Sequence, residues 1–155
     1  MAGLDIQAIQ DAKDALNEDK VPHSEFMRVG MNGVTFALPV GDVLSVVRPT
    51  VITPVPMAPD HLLGVTNVRG QIFCIIDPGK VLKLEQDIKD KTMQTRFILL
   101  RHERMHLGIW VDAVADLYSI PTAEVPVDSG DKHTKGILNI GSETLQILRA
   151  TALLD

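Results

Sequence analysis

The residues with the strongest chemical signature lie between His102 and His106. They read His-Glu-Arg-Met-His and match the H-E-x-x-H pattern of zinc-dependent hydrolases. In those enzymes a helix brings both histidines to one face as zinc ligands and places the glutamate as general base. Here the β-rich segments 97–100 and 107–111 stand on either side and leave no room for a full helix. We therefore predict a charged hairpin tip, and a small zinc hydrolase using His102, Glu103 and His106 is kept as an alternative hypothesis.

The other reactive side chains do not form a catalytic set. Cys74 is the only cysteine and lies inside an apolar segment, which is typical of a buried structural thiol. The three remaining histidines are scattered over expected loops, and Asp112 and Asp116 are expected at strand ends or on a solvated edge. The sequence contains no nucleophile elbow, P-loop or dinucleotide-binding glycine motif. We predict a protein that is not an enzyme and holds neither a metal nor a cofactor.

Composition favours a folded protein that does not bind nucleic acid. The chain has 155 residues, of which 45% are hydrophobic and 23% charged, as expected for one folded domain. Its net charge is -5 and it has no basic tract with which to grip DNA or RNA. Aromatic residues make up only 4%, so the core must consist mainly of Val, Ile and Leu.

A glycine-bounded segment with a single cation is the most informative feature outside the histidine motif. Residues 64–70 read Gly-Val-Thr-Asn-Val-Arg-Gly and run into the apolar segment Ile72–Ile76. That segment lacks polar/apolar alternation, so we expect both of its faces to be covered. Arg69 stands at its start, beside glycines that allow other backbone to approach closely. Because a guanidinium stays protonated, Arg69 suits recognition better than acid–base catalysis.

Most of the chain is patterned as short strands. Glu25–Val29 and Val34–Leu38 flank Asn32-Gly33, which is the strongest short signal for a β-hairpin. Prolines between 49 and 59 exclude a continuous strand there, and Asp77-Pro78 is a helix-start signal. The other predicted elements are strands over Val43–Arg48, Ile72–Ile76, Thr95–Leu100, Leu107–Val111, Val114–Ile120 and Leu145–Leu148, a polar loop over Ser129–Lys135, and short helices over 81–84 and Ala150–Leu154.

The second half of the chain repeats the first. Gly64, Asn67, Ile75 and Leu82 are matched by Gly136, Asn139, Ile147 and Leu154, each 72 residues later. A repeated unit of short strands predicts two related small β-barrels with a shared apolar interface and a binding groove where they meet. The copies differ at Arg69, which is matched by Gly141. We therefore expect the first copy to carry the specific contact.

Residues 1–23 are expected to form an extension to the main domain, residues 24–155. Within the extension, Leu4–Asp19 has apolar residues at helical spacing, which predicts an amphipathic helix that packs on the body or binds a partner. The segment is not a signal peptide, and no apolar stretch approaches the roughly 20 residues needed to span a bilayer. The expected location is the cytoplasm.

These segments together resemble the CheW family, the coupling proteins of bacterial chemotaxis arrays. The most specific match is residues 64–70 followed by Ile75-Ile76-Asp77, which is similar to the family's G-V-x-N-L-R-G…I-D signature. Supporting matches are Leu38-Pro39-Val40, Val43–Val47, Thr53–Pro59 and Gly108–Asp112, and the resemblance runs from about Glu25 to Leu154. It implies a mainly β fold of two intertwined five-stranded barrels and no enzymatic activity.

The resemblance also implies partners and contact residues. Family members bridge the cytoplasmic tips of chemoreceptors to the regulatory domain of a CheA-type histidine kinase, at membrane-associated arrays and without entering the membrane. The family often has Glu where this chain has Ser45, and Leu-Arg where it has Pro78-Gly79. A coupling protein of an alternative array, such as one controlling pili or surface motility, therefore stays open. The candidate partner contacts are Arg69, Asn67, Val43, Ser45 and Val46.

Overall fold

The computed structural model describes residues 21–88 and 90–153, and the predicted helix Leu4–Asp19 lies outside them. Single-turn 3-10 helices occur at Val40–Asp42, Thr122–Glu124 and Ala150–Ala152. None of the described helices has the length and apolar content of a membrane span. The main elements are β1 (His23–Met31), β2 (Val34–Pro39), β3 (Val43–Val47), β4 (Leu62–Val68), β5 (Gln71–Ile76), α1 (Pro78–Leu82), β6 (Arg96–Leu100), β7 (Leu107–Val111), β8 (Ala113–Pro121), β9 (Thr134–Ile140) and β10 (Glu143–Leu148).

The strands form two five-stranded sheets of equivalent design. The first has the order β8-β1-β2-β10-β9 and the second the order β3-β6-β7-β5-β4. Each sheet contains one parallel pair, β2 with β10 in the first and β5 with β7 in the second. The predicted mainly β fold with two related five-stranded units is confirmed. In the described residues the outer strands of each sheet do not pair with each other, so neither hydrogen-bond ladder closes into a complete barrel.

The two halves of the chain are intertwined. Strand β3 follows β2 along the chain but completes the second sheet, and β8 follows β7 but completes the first. The sequence repeat is visible in the register. Val43 and Val114 lie 71 residues apart, and so do their partners, since Val43 pairs with Leu100 in one sheet and Val114 pairs with Val29 in the other. An irregularity in the pairing follows each of these pairs. Each half therefore depends on a strand from the other.

The core is shared between the sheets, as the repeat predicted. Its main cluster joins Phe36 and Leu38 of the first sheet to Ile98 and Ile109 of the second. Each sheet also has a smaller cluster of its own, around Ala37 and Leu145 in one and around Phe73 and Phe97 in the other. Burial of aliphatic surface at about 25 cal/mol per Å² is the main force that holds the sheets together.

Two local predictions are confirmed by backbone geometry. The hairpin between β1 and β2 turns at Asn32 and Gly33, whose φ angles of 52° and 80° match the two positive values of a type I′ turn. The carboxylate of Asp77 accepts a hydrogen bond from the backbone N–H of Gly79 at 3.0 Å and caps α1, with Pro78 as its first residue.

Other local predictions were wrong. Strands β4 and β9 were not predicted, because a glycine interrupts the apolar pattern of each one. In the structure these glycines, Gly64 and Gly136, have φ angles of 147° and 144°. Ile72 is 53% exposed and Cys74 is only partly buried, so β5 is not covered on both faces over its whole length. The start of β5 is exposed because it follows directly after the two-residue turn that joins it to β4.

Candidate docking site

The turn between β4 and β5 presents Arg69 at the end of the second sheet. Val68 pairs with Gln71, so Arg69 and Gly70 form a two-residue loop with φ angles of 53° and 86°. A residue with a side chain pays about 1 kcal/mol to adopt this left-handed conformation. Gly141, the matching residue in the second copy, has a φ of 60° and avoids that penalty. The first copy therefore holds an arginine where the backbone favours glycine.

Asn67 supports this turn, and the Arg69 side chain is left exposed. The Oδ1 atom of Asn67 accepts a hydrogen bond from the backbone N–H of Gly70 at 2.9 Å. Arg69 is exposed, and none of the four ion pairs in residues 21–88 and 90–153 involves it. Asn67 thus has a clear structural role, while the guanidinium of Arg69 projects from a rigid base.

The structure separates the candidate residues of β3 into two faces. Val43 is only 9% exposed and lies in the shared core, so it cannot present a contact surface. Val46 is 37% exposed, and Ser45 is partly buried. Residues three apart in a strand point to opposite faces, which is why Val43 and Val46 do not act together. Leu44, which is 48% exposed and shares the face of Val46, was missed by the sequence reasoning.

An open cleft joins the start of β3 to the neighbourhood of Arg69. It has a volume of about 610 Å³, and we call it the loop cleft because the β6–β7 loop, residues 101–106, forms one wall. Leu44 and Gln71 both line it, which places β3 and the residue after the Arg69-Gly70 turn around one depression. The remaining lining residues are Phe73, Leu100, Arg101, His102, Glu103, Met105 and His106.

The H-E-x-x-H motif lies in this β6–β7 loop and is not helical, which confirms the predicted hairpin tip. The Nδ1 atom of His102 accepts hydrogen bonds from the backbone N–H groups of Arg104 and Met105, both at 3.1 Å. The ring of His106 stacks on Phe73, with ring centroids 4.9 Å apart. The helical arrangement that a zinc site of this pattern requires is absent from the loop. Within the described residues, no three His, Cys, Asp or Glu side chains are grouped to hold a metal ion.

The second copy also differs from the first at Arg149, whose side chain makes contacts within the protein. Arg149, which matches Asp77, pairs with Asp128 and donates a hydrogen bond to the backbone carbonyl of Asp131 at 3.1 Å. The hydrogen bond from Arg149, followed by one from the backbone N–H of Gly130, lowers the pKa of Asp128 to about 2. Burial lowers the pKa of nearby His133, and the charge of Lys132 adds to this effect.

Comparison with known proteins identifies the family. The CheW-like domain family matches residues 25–155. The "Chemotaxis protein CheW" of Helicobacter pylori is 28% identical over 142 residues, which cover 88% of this chain and 85% of that protein. The protein of the same name from Bacillus subtilis is 29% identical, covering 81% of this chain and 83% of its own. "Protein FrzA" of Myxococcus xanthus is 28% identical over 91% of each chain.

A solved structure supports the fold. The crystal structure of the scaffolding protein CheW from Thermoanaerobacter tengcongensis superposes with a TM-score of 0.76, covering 86% of this chain and 94% of that one at 22% identity. At this identity the likeness concerns the fold alone. The match over residues 25–155, with the relatives named CheW, shows that the chain belongs to the CheW-like family of non-catalytic scaffold and adaptor proteins of chemotaxis.

Proposed function

We propose that the chain couples the cytoplasmic tips of chemoreceptors to the regulatory domain of a CheA-type histidine kinase. It would do so in the cytoplasm, recruited to membrane-associated receptor arrays. Membership of a family of chemotaxis scaffold proteins supports this role. The net charge of -5 argues against nucleic acid as a further partner.

The observation that carries the proposal is the left-handed conformation of Arg69. Asn32, Met57 and Lys83 share this conformation, and what distinguishes Arg69 is that the matching position in the second copy holds a glycine, Gly141, which adopts it without cost. An exposed arginine on a rigid turn is a good anchor for a partner, since arginine is enriched among the residues that dominate binding energy. Arg69 is therefore the first candidate contact.

The proposed contact surface combines this turn with the exposed face of β3. Leu44 and Val46 supply apolar area, and Arg69 supplies charge and directed hydrogen bonds. Ser45 contributes at the margin because it is partly buried. Asn67 acts by fixing the turn, and Val43 is left out because it belongs to the core. Such a small surface suits contacts of modest affinity that are strengthened by the avidity of an array.

A second candidate function is coupling in an alternative array, such as one that controls pili or surface motility. The match to Protein FrzA covers 91% of this chain, as extensively as the matches to proteins named CheW. The same contact surface would serve both functions, and only the identity of the receptor and kinase would differ.

A three-component co-purification tests the coupling role. Receptor tips on a resin are mixed with the kinase in the presence or absence of this chain, and we expect the chain to increase the kinase retained. The Arg69→Glu variant should lose this effect. Lys132→Glu, which makes the same charge change at an exposed site in the other half, is the matched control and should retain it. Equal kinase retention without the chain would refute the proposal.

A further inference from the structure

The loop cleft combines an apolar lining with a cationic loop in a protein that is acidic overall. Leu44, Phe73, Leu100 and Met105 line it together with Arg101 and Glu103. Arg104 lies beside them on the same loop, so residues 101–106 carry two arginines and one glutamate, a net charge of +1. Neither arginine takes part in the ion pairs found in the described part of the chain. This surface suits a ligand that is apolar on one side and acidic on the other.

The amino-terminal segment of this chain has that character. Residues 1–20 contain five acidic residues and two lysines. Ile6, Ile9 and Leu16 recur at helical spacing, with polar and acidic residues between them. The apolar stripe of Ile6, Ile9 and Leu16 complements the apolar lining of the loop cleft. The acidic residues of the segment complement the arginines of the β6–β7 loop.

Strand pairing shows that the segment starts from the correct end of the molecule. Phe26, near the start of β1, pairs with Pro39 of β2. Three residues further on, the carbonyl of Asp42 accepts a hydrogen bond from the backbone N–H of Arg101 at 2.9 Å. The start of β1 therefore lies at the end of the molecule that carries the β6–β7 loop. A helix over residues 4–19 would be about 24 Å long.

A second cleft lies even closer to the start of β1 but has unfavourable charge. It has a volume of about 360 Å³ and is lined by Phe26 and Ile147 among other apolar residues. Its charged lining consists of Glu25, Asp128 and Lys135. Asp128 is paired with Arg149 and Lys135 with Asp42, so the cleft stays net negative when these partners are counted. Like charges disfavour an acidic segment there, whereas the arginines of the β6–β7 loop attract one. Charge thus selects the loop cleft.

We propose that residues 4–19 dock in cis in the loop cleft as an amphipathic segment. Because Gln71 lines the cleft and adjoins the Arg69-Gly70 turn, the docked segment would compete with a partner for the exposed end of the second sheet. This autoinhibitory consequence depends on the proposed coupling function. The docking itself does not, so the two can fail separately.

Paramagnetic broadening in the full-length chain tests the docking. A nitroxide is attached to Gln7→Cys in a Cys74→Ala background, and the amide signals of the 15N-labelled chain are recorded. We expect selective loss of signal at Leu44, Gln71 and Leu107. Raising the salt from 0.1 M to 1 M shortens the Debye length from about 10 Å to about 3 Å and should restore these signals. The double variant Arg101→Glu, Arg104→Glu should restore them at low salt, whereas the control Lys91→Glu, Lys132→Glu should not.

Three outcomes would overturn the proposal. The first is an absence of broadening at the loop cleft, and the second is broadening centred on Phe26 and Ile147 of the other cleft. The third is equal broadening when a spin-labelled chain without 15N is mixed with a 15N-labelled chain without the nitroxide, which would assign the contact to a second copy. If docking fails while the three-component co-purification succeeds, the coupling function stands without this form of regulation.

Discussion

Arg69 and Gly141 occupy the same position in the two copies of the repeat, and both have positive φ angles, 53° and 60°. Each follows the last residue of an outer strand, Val68 in one copy and Ile140 in the other. The two turns thus share a left-handed first residue, which is arginine in one copy and glycine in the other. Their second residues differ, because Gly70 has a positive φ and its match Ser142 does not. Glycine satisfies the backbone of this turn in the second copy, so we assign the arginine of the first copy to partner binding.

Relieving the strain at Arg69 should stabilise the protein. We expect Arg69→Asn to raise the free energy of unfolding by about 1 kcal/mol, because Asn tolerates the left-handed conformation better than Arg. The reciprocal change, Gly141→Arg, should lower it by a similar amount. Urea denaturation measures both values. A loss of stability in Arg69→Asn would show that the arginine has an internal structural role.

Gly64 should be much less tolerant of a side chain than Gly70. Both have positive φ, but a Cβ at Gly64 would clash with the backbone carbonyl oxygen of Thr53, whereas nothing lies within 4 Å of one at Gly70. We expect Gly64→Ala to cost about 2 kcal/mol more in unfolding free energy than Gly70→Ala. Chemical denaturation of the two variants gives this difference directly. Equal losses would mean that the loop at Thr53 moves aside freely.

The ion pair between Asp128 and Arg149 should make stability depend on acid. The pKa of Asp128 falls from its ordinary 3.8 to about 2 in the folded protein, so the folded state binds fewer protons than the unfolded state between these values. The stabilisation is therefore complete above about pH 4 and is lost as the pH falls towards 2. Unfolding free energies measured across this range should have a steeper slope in the wild type than in Asp128→Asn. Parallel curves would contradict the assignment.

Truncation of Val43 should reduce stability, whereas truncation of Val46 should reduce partner binding. Val43→Ala removes methyl groups from the shared core and should cost about 2 kcal/mol of stability. Val46→Ala should change stability by less than about 0.5 kcal/mol and weaken partner binding instead. Denaturation and a binding titration on the same preparations distinguish the two effects. If Val46→Ala binds normally, β3 does not belong to the contact surface.

The strands with strong local signals were predictable from the sequence. Asn32-Gly33 and Asp77-Pro78 determine their own backbone through turn and cap chemistry, so the hairpin and the helix start were correct. Strands β4 and β9 were missed because each contains a glycine that reads locally as a turn. The exchange of β3 and β8 between sheets depends on contacts distant in sequence, which local patterns do not encode.

Only the part of the candidate site whose side-chain chemistry favours recognition could be predicted from the sequence. The charge of Arg69 beside Gly70 pointed to recognition, but nothing local indicated its positive φ. Alternating burial along β3 decided which of its residues are accessible, and this depends on the position of the shared core. The loop cleft was not foreseen, because it forms from segments that lie far apart along the chain.

Recruitment of the kinase to receptor-bearing vesicles tests the central claim most directly. The measurement is the concentration of this chain that gives half-maximal kinase sedimentation. For Arg69→Glu we predict at least a tenfold increase, equivalent to about 1.4 kcal/mol, with an unchanged unfolding transition. An Arg69→Glu curve that overlies the wild type, or kinase recruitment that does not need the chain, would contradict the account.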